Sequence, residues 1–240
     1  MPTKKKGPHT KAPRMKANDS QPDADAVVAT LKGMSSKAVR DGMARYGIPS
    51  DNAFGVSVGA LQKYAKQLGR NHELAAALWD SGWYEARMLA AYVDDPARVT
   101  PAQMDRWCRD FDSWGICDTV CFALFDRTEY AWDKVAAWAG NRSEFVKRAA
   151  FALLWGLTVH DKAAGDEKFT EGLLLIERGA EDDRHFVKKA VNMALRAVGK
   201  RNPKLRAAAV AVARRLADSA TASAKWVGKD ALRQLSKTVR

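Results

Sequence analysis

At 240 residues, 47% of them hydrophobic, the chain is long enough for one large domain or two small ones with a buried core. No apolar run approaches the ~20 residues that cross a bilayer. The basic start of the chain has no apolar stretch behind it, as a secretory signal requires. The three cysteines, Cys108, Cys117 and Cys121, are too few for a disulfide framework, so a reducing, cytoplasmic location is expected.

The formal net charge of +12 is unevenly spread. Residues 1–17 carry six basic side chains and no acid; residues 18–140 carry thirteen basic against seventeen acidic. Residues 186–240 hold fourteen basic residues against only Asp218 and Asp230. Charge polarised on a segment that also has a core pattern points to a polyanion partner, with a solvated lysine-rich face as the alternative.

In chain order, residues 1–23 are rich in Lys, Pro, Gly and polar side chains and are expected to form a disordered basic tail. From Ala24 to Arg240 the pattern is that of a single helical domain. Alanine is abundant and strand-type alternation nearly absent. Turn signals at Gly47-Ile48-Pro49-Ser50, Asp94-Asp95-Pro96, Thr100-Pro101, Gly140-Asn141 and Lys200-Arg201-Asn202-Pro203 separate runs of ordinary helix length.

Self-similarity selects among all-α architectures. Phe145-Val146-Lys147-Arg148-Ala149 returns as Phe186-Val187-Lys188-Lys189-Ala190 after 41 residues, and Trp226-Val227-Gly228-Lys229 follows 40 residues later. A period near 40 is that of HEAT and armadillo units. Stacking such units lines the recurrent basic residues along one concave face; chance similarity among alanine-rich helices is the competing explanation.

Several segments then resemble a known family. Asp112-Ser113-Trp114-Gly115-Ile116-Cys117-Asp118, Phe145-Val146-Lys147-Arg148-Ala149-Ala150 and Phe186-Val187-Lys188-Lys189-Ala190-Val191-Asn192 are similar to the HEAT-like-repeat alkylpurine DNA glycosylases, the AlkD type of DNA alkylation repair enzyme. Tyr46-Gly47-Ile48-Pro49, Phe54-Gly55-Val56-Ser57, Glu85-Ala86-Arg87, Phe125-Asp126-Arg127-Thr128 and Gly199-Lys200-Arg201-Asn202 follow the same order as in that family. The resemblance runs from Ala26 to Leu235. It implies an all-α, right-handed, C-shaped solenoid of about six HEAT-like repeats with duplex DNA in a basic concave face. It also implies excision of cationic N3- or N7-alkylated purines by a monofunctional glycosylase that needs no cofactor and no metal and does not flip its base. A monomer acting on double-stranded DNA is expected, nucleoid-associated if the source is bacterial.

Trp114 and Asp118 are four residues apart and share a helix face. By the resemblance, Asp118 is the catalytic carboxylate, Trp114 its aromatic neighbour and Arg148 the active-site arginine of the next repeat. The chemistry suits these side chains. A purine alkylated at N3 or N7 is already a cation and leaves without a general acid. Positive charge then builds on the deoxyribose, and a fixed carboxylate stabilises it. Trp114 offers a ring face to a cationic nucleotide. Arg148 either pairs with a backbone phosphate or holds Asp118 in place.

Two positions depart from the family pattern. Met193 stands where the resemblance places a second active-site tryptophan, and keeps apolar bulk without a ring face. Gly115 stands where an aspartate is common. Trp155 is read as packing. Lys147, Lys188, Lys189, Arg196, Lys200, Arg201, Lys225 and Lys229 are the candidates for phosphate contacts. Cys117 and Cys121 read as buried small residues rather than metal ligands, and His72, His160 and His185 have no nucleophile motif around them. Two other readings remain: a catalytically weak or inert DNA-binding relative for distorted or branched duplex, which Met193 favours, and a helical scaffold for an acidic protein segment.

Overall fold

A computed structural model of the chain describes residues 22–236; nearly all of the expected basic tail lies outside the described residues. Within them the chain is all-helical. It runs α1 (Ala24–Gly33), α2 (Lys37–Met43), α3 (Val58–Leu68), α4 (His72–Asp80), α5 (Tyr84–Val93), α6 (Pro101–Arg109) and α7 (Trp114–Ala123). It continues through α8 (Ala131–Trp138), α9 (Glu144–His160), α10 (Asp166–Gly179), α11 (His185–Arg201), α12 (Pro203–Ala217) and α13 (Ala222–Ser236).

The turn chemistry accounts for the breaks. Thr100 caps α6 through its hydroxyl, with Pro101 at the first helical position, where its missing N–H costs nothing. Asn202 caps α12 through its side-chain amide oxygen, which accepts the N–H of Leu205, ahead of Pro203. The sequence signal at Lys200-Arg201-Asn202-Pro203 marks a sharper break than a loop. Helix α11 continues through Arg201, and Asn202 alone separates it from α12.

The helices form two layers. Helices α3, α5, α7, α9, α11 and α13 each pack on the next as one wall, with α4, α8, α10 and α12 packed behind them. This is the layered solenoid expected of HEAT-like repeats. The apolar core is continuous from Val27 to Leu235. Its rungs include Trp79 stacked on Trp107 with ring centroids 4.1 Å apart. The 40-residue period has a packing counterpart. Val146 and Val187 are buried in the first turns of α9 and α11 and Val227 in the second turn of α13, and Phe145 lies against Phe186 at 5.4 Å.

The amino-terminal unit is tied to this wall by a buried acid. Glu85, fully buried on α5, accepts the backbone N–H groups of Phe54, Gly55 and Val56 at 2.9, 2.7 and 3.1 Å. A buried carboxylate holding three amides is well compensated. The loop leading into α3 is thereby fixed against the second wall helix.

Candidate nucleic-acid interface and active site

Ser113 caps α7 by accepting the N–H of Ile116, so the helix starts at Trp114. Trp114, Asp118 and Phe122 then form one stripe along it, at steps of four. Helix α9 places Arg148 against Asp118. Arg148 Nε donates to Oδ1 at 2.9 Å and Nη2 donates to Oδ2 at 2.7 Å, a bidentate pair. The remaining nitrogen, Nη1, donates to the carbonyl of Phe186 on α11 at 2.7 Å. One guanidinium thus joins three successive wall helices. Of the two alternatives for Arg148, the geometry is that of the residue that holds Asp118.

The Asp118 side chain is 17% exposed and that of Arg148 4%. Burial pushes the Asp118 carboxyl above its ordinary value, and the adjoining guanidinium opposes that shift. Both carboxylate oxygens only accept hydrogen bonds here, and each keeps an open lone pair for a further donor.

Trp114 is held from the opposite side. Its Nε1 donates to the carbonyl of Tyr46 at 2.7 Å. Gly47 follows with φ 65°, a left-handed conformation that glycine adopts freely. An added Cβ there would lie 3.2 Å from the Phe186 ring. The Tyr46-Gly47 turn therefore spans from α7 to α11 across one end of the site. Gly115 also has a packing reason. A Cβ at that position would run into the Tyr84 hydroxyl, so the space an aspartate would need is already filled.

Two open clefts meet at Trp114, Asp118 and Met193, which line both. One, of about 560 Å³, is walled further by Tyr92, Phe122 and Trp155, with Arg70 and Arg127 among its lining. The other, of about 590 Å³, adds Arg45, Tyr46, Arg148, Phe186 and Lys189. A third cleft of about 610 Å³ shares Trp155 and continues to Lys162, Lys200 and Arg201. Met193 thus lies beside the carboxylate. Trp155, read from sequence as packing, both packs and faces the cleft.

The candidate phosphate contacts separate by partner. Lys189 and Lys200 are exposed and line clefts. Lys188 and Lys189 both lie over the Trp226 ring, at 5.5 and 4.8 Å. Lys147 is 3.0 Å from Asp182. Arg196 turns toward Asn192 at 3.5 Å and Asp230 at 4.0 Å. Arg201 donates to the carbonyls of Thr158, Asp161 and Ala164. Its guanidinium closes the end of α9, leaving less of it for phosphate. Lys225 and Lys229 lie on α13 outside the three clefts.

The expectation that the basic face rests mainly on residues 186–240 needs correction. Arg45, Arg70 and Arg127, all exposed and all on the clefts, come from the net-acidic part. Many of that part's acids are paired elsewhere, as in Glu73–Arg98, Asp80–Arg106 and Asp105–Lys134 at 2.6, 2.8 and 2.6 Å. Local placement sets the field over a groove, and net charge per segment does not report it. The nearest sequence signals were Tyr46-Gly47-Ile48-Pro49, which Arg45 precedes, and Phe125-Asp126-Arg127-Thr128, which contains Arg127. The last of these motifs also carries a buried contact, with His160 Nδ1 2.5 Å from Asp126 Oδ2.

Cys117 and Cys121 are buried and directed at the carbonyls of Phe145 and Ala149. No helix among the described residues is long and apolar enough to cross a membrane.

One solved structure superposes with a TM-score of 0.73 at 22% identity, covering 88% of this chain and 94% of that one. It represents a new family of proteins related to the HEAT-like repeat DNA glycosylases with affinity for branched DNA structures. A designed armadillo repeat protein gives a TM-score of 0.32 at 15% identity, covering 74% of this chain and 92% of that one. No curated protein matches the chain. The family profile described as DNA alkylation repair enzyme matches residues 27–235, so the chain belongs to the DNA alkylation repair enzyme family.

Proposed function

We propose that the protein is a monofunctional DNA glycosylase that hydrolyses the N-glycosidic bond of cationic N3- or N7-alkylated purines in duplex DNA. The observation that carries this reading is the Asp118 carboxylate, fixed bidentately by Arg148 at the meeting point of two open clefts. A carboxylate whose orientation is set in advance needs no reorganisation when charge develops beside it.

The reaction follows from charge. The bond between C1′ and the purine nitrogen breaks, and its electron pair neutralises the cationic base, which leaves without a proton. Asp118 stabilises the oxocarbenium character at C1′ and aligns a water. The water oxygen bonds to C1′ and its proton is lost to the carboxylate or to solvent. Trp114, clamped by Tyr46, presents an aromatic wall next to the reacting nucleotide. Arg45, Arg70, Arg127, Lys189 and Lys200 are placed for the phosphates on either side. A monomer suffices, since every one of these groups belongs to one chain.

The test is release of free base from duplex containing 7-methylguanine, with an abasic site left behind. Release above an enzyme-free control supports the glycosylase. A folded protein that binds the duplex and releases nothing rejects it. A second reading is favoured by Met193, which leaves the site one aromatic short of the family pattern. It is a DNA-binding relative without strong catalysis, and the affinity for branched DNA ascribed to the related solved structure makes three- and four-way junctions its natural probes.

A further inference from the structure

Trp226 opens the third copy of the repeated motif and belongs to none of the clefts around Asp118. It lies one turn into α13 and is half-buried. Two ammonium groups from α11 lie over its ring. Lys188 Nζ is 5.5 Å and Lys189 Nζ 4.8 Å from the ring centroid, both within cation–π reach. Neither lysine has a carboxylate at ion-pair distance among the described residues.

The preceding repeat shows the contrast. Lys147 stands on α9 where Lys188 stands on α11, and its ammonium is 3.0 Å from Asp182. A carboxylate fixes a lysine and cancels its charge. An indole face also fixes it, through the ring quadrupole, and leaves the charge whole.

The ring is itself held in place. Ser223 Oγ donates to the carbonyl of Asp182, just ahead of α11, at 2.7 Å. Asn192 Nδ2 on α11 donates to the carbonyl of Val227 at 3.2 Å. Ser223 and Val227 bracket Trp226, so its backbone is tied to α11 on both sides. Behind it, Gly228 lets α13 close on α12, since a Cβ there would run into the backbone of Ala213 and Ala217. Asp230, the one acid on α13, faces Arg196 at 4.0 Å and pairs with Arg233. The two ammonium charges over the ring therefore stay uncancelled.

We propose that Trp226 is a positioning residue for DNA, whose ring holds Lys188 and Lys189 at full charge for backbone phosphodiesters beside the nucleotide at Asp118. The proposal rests on the DNA-binding part of the reading above and adds what prepares this end of the groove. Lys189 reaches the site directly, since it lines the cleft that also holds Asp118 and Arg148. A lysine stem turns freely, and fixing it before contact lowers the ordering cost of binding. Two ammonium groups gathered at one ring repel each other, and a phosphate relieves that repulsion.

The probe is an undamaged DNA duplex, titrated into the full chain by fluorescence anisotropy at about 50 to 200 mM salt. Lys188→Gln and Lys189→Gln are each expected to lower the slope of log K against log salt by about 0.9. Trp226→Leu keeps both lysines and is expected to weaken binding by about 2- to 30-fold. Trp226→Phe, which restores a ring, keeps most of the affinity. Removing both lysines should cost at least about threefold less in Trp226→Leu than in the wild type, because the ring acts through them. Circular dichroism melting checks that each variant is folded, and the lysine substitutions are read whether or not Trp226→Leu folds. Wild-type affinity in a folded Trp226→Leu, losses that simply multiply, or a salt slope indifferent to both lysines overturns the proposal. A wild type that does not bind the duplex overturns the DNA-binding reading together with it. Base release plays no part in the readout, so failure of the glycosylase and failure of this proposal are told apart.

Discussion

Arg148 holds both oxygens of Asp118, from Nε at 2.9 Å and from Nη2 at 2.7 Å, and has only 4% of its side chain exposed. This pair is at once the orienting device of the site and a buried link between neighbouring repeats. Removing the guanidinium strands a buried carboxylate and frees the Phe186 carbonyl. Arg148→Ala is therefore expected to cost about 3–5 kcal/mol of folding stability. Denaturant unfolding at neutral pH measures it. A loss below about 1 kcal/mol, the scale of a surface ion pair, would show that the pair is open to water in solution.

Met193 is the position at which a gain of function is expected. Met193→Trp adds a ring at the meeting point of the two clefts. One cation–π contact of about 0.5–2 kcal/mol corresponds to a rate gain of about 2- to 30-fold. Single-turnover release of 7-methylguanine reads it directly. A slower variant with unchanged duplex affinity would mean that the second ring is unwanted in a cleft already walled by Trp155.

The same clefts predict how affinity responds to salt. Each phosphate contact removed should lower the slope of log K against log salt by about 0.9. Arg45→Gln and Arg127→Gln are expected to do so singly. Arg201→Gln should leave the slope nearly unchanged and lower stability by about 1–3 kcal/mol, because the three carbonyls it caps lose their donor. A salt slope that responds to Arg201 as strongly as to Arg127 would place DNA further along the groove than proposed.

Acid stability depends on a different pair. The Asp182 carboxyl is held well below its ordinary value, first by its hydrogen bond to Arg184 and then, against burial, by Lys147. Its folded-state pKa is thus depressed. Its contribution is complete above the unfolded value of about 4 and is lost as pH falls from there through the folded value. Unfolding midpoints between pH 6 and 2 should therefore converge for the wild type and Asp182→Asn as the pH drops. Parallel curves would contradict the assignment.

The helical layers and much of the site were legible in the sequence because both rest on local spacing. Trp114 and Asp118 lie one turn apart on one helix. The Phe-Val-Lys repeat marks the starts of α9 and α11. The caps at Thr100 and Asn202 announce themselves by the prolines that follow. What escaped was tertiary. Trp155 shares a helical face with Arg148, but no local pattern reveals that the face lines a cleft rather than a core. Arg201 sits in a basic run that reads as a DNA contact, and only the fold brings the carbonyls ending α9 to its guanidinium. The arginines at 45, 70 and 127 were hidden by segment arithmetic, since their acidic neighbours are paired elsewhere. Glu85 was recognised as part of a motif, but its three backbone partners lie about thirty residues away in the sequence.

The role of the Asp118 carboxylate is tested most directly by comparing the wild type with Asp118→Asn on duplex DNA bearing 7-methylguanine. Both are checked for folding and for duplex affinity, and free base is then quantified under single turnover. The wild type is expected to release the base and the variant to lose at least about a hundredfold of that rate, the scale of removing a fixed electrostatic stabiliser, with duplex affinity nearly unchanged. Equal release by the two proteins, or none by a wild type that binds the duplex, would contradict it.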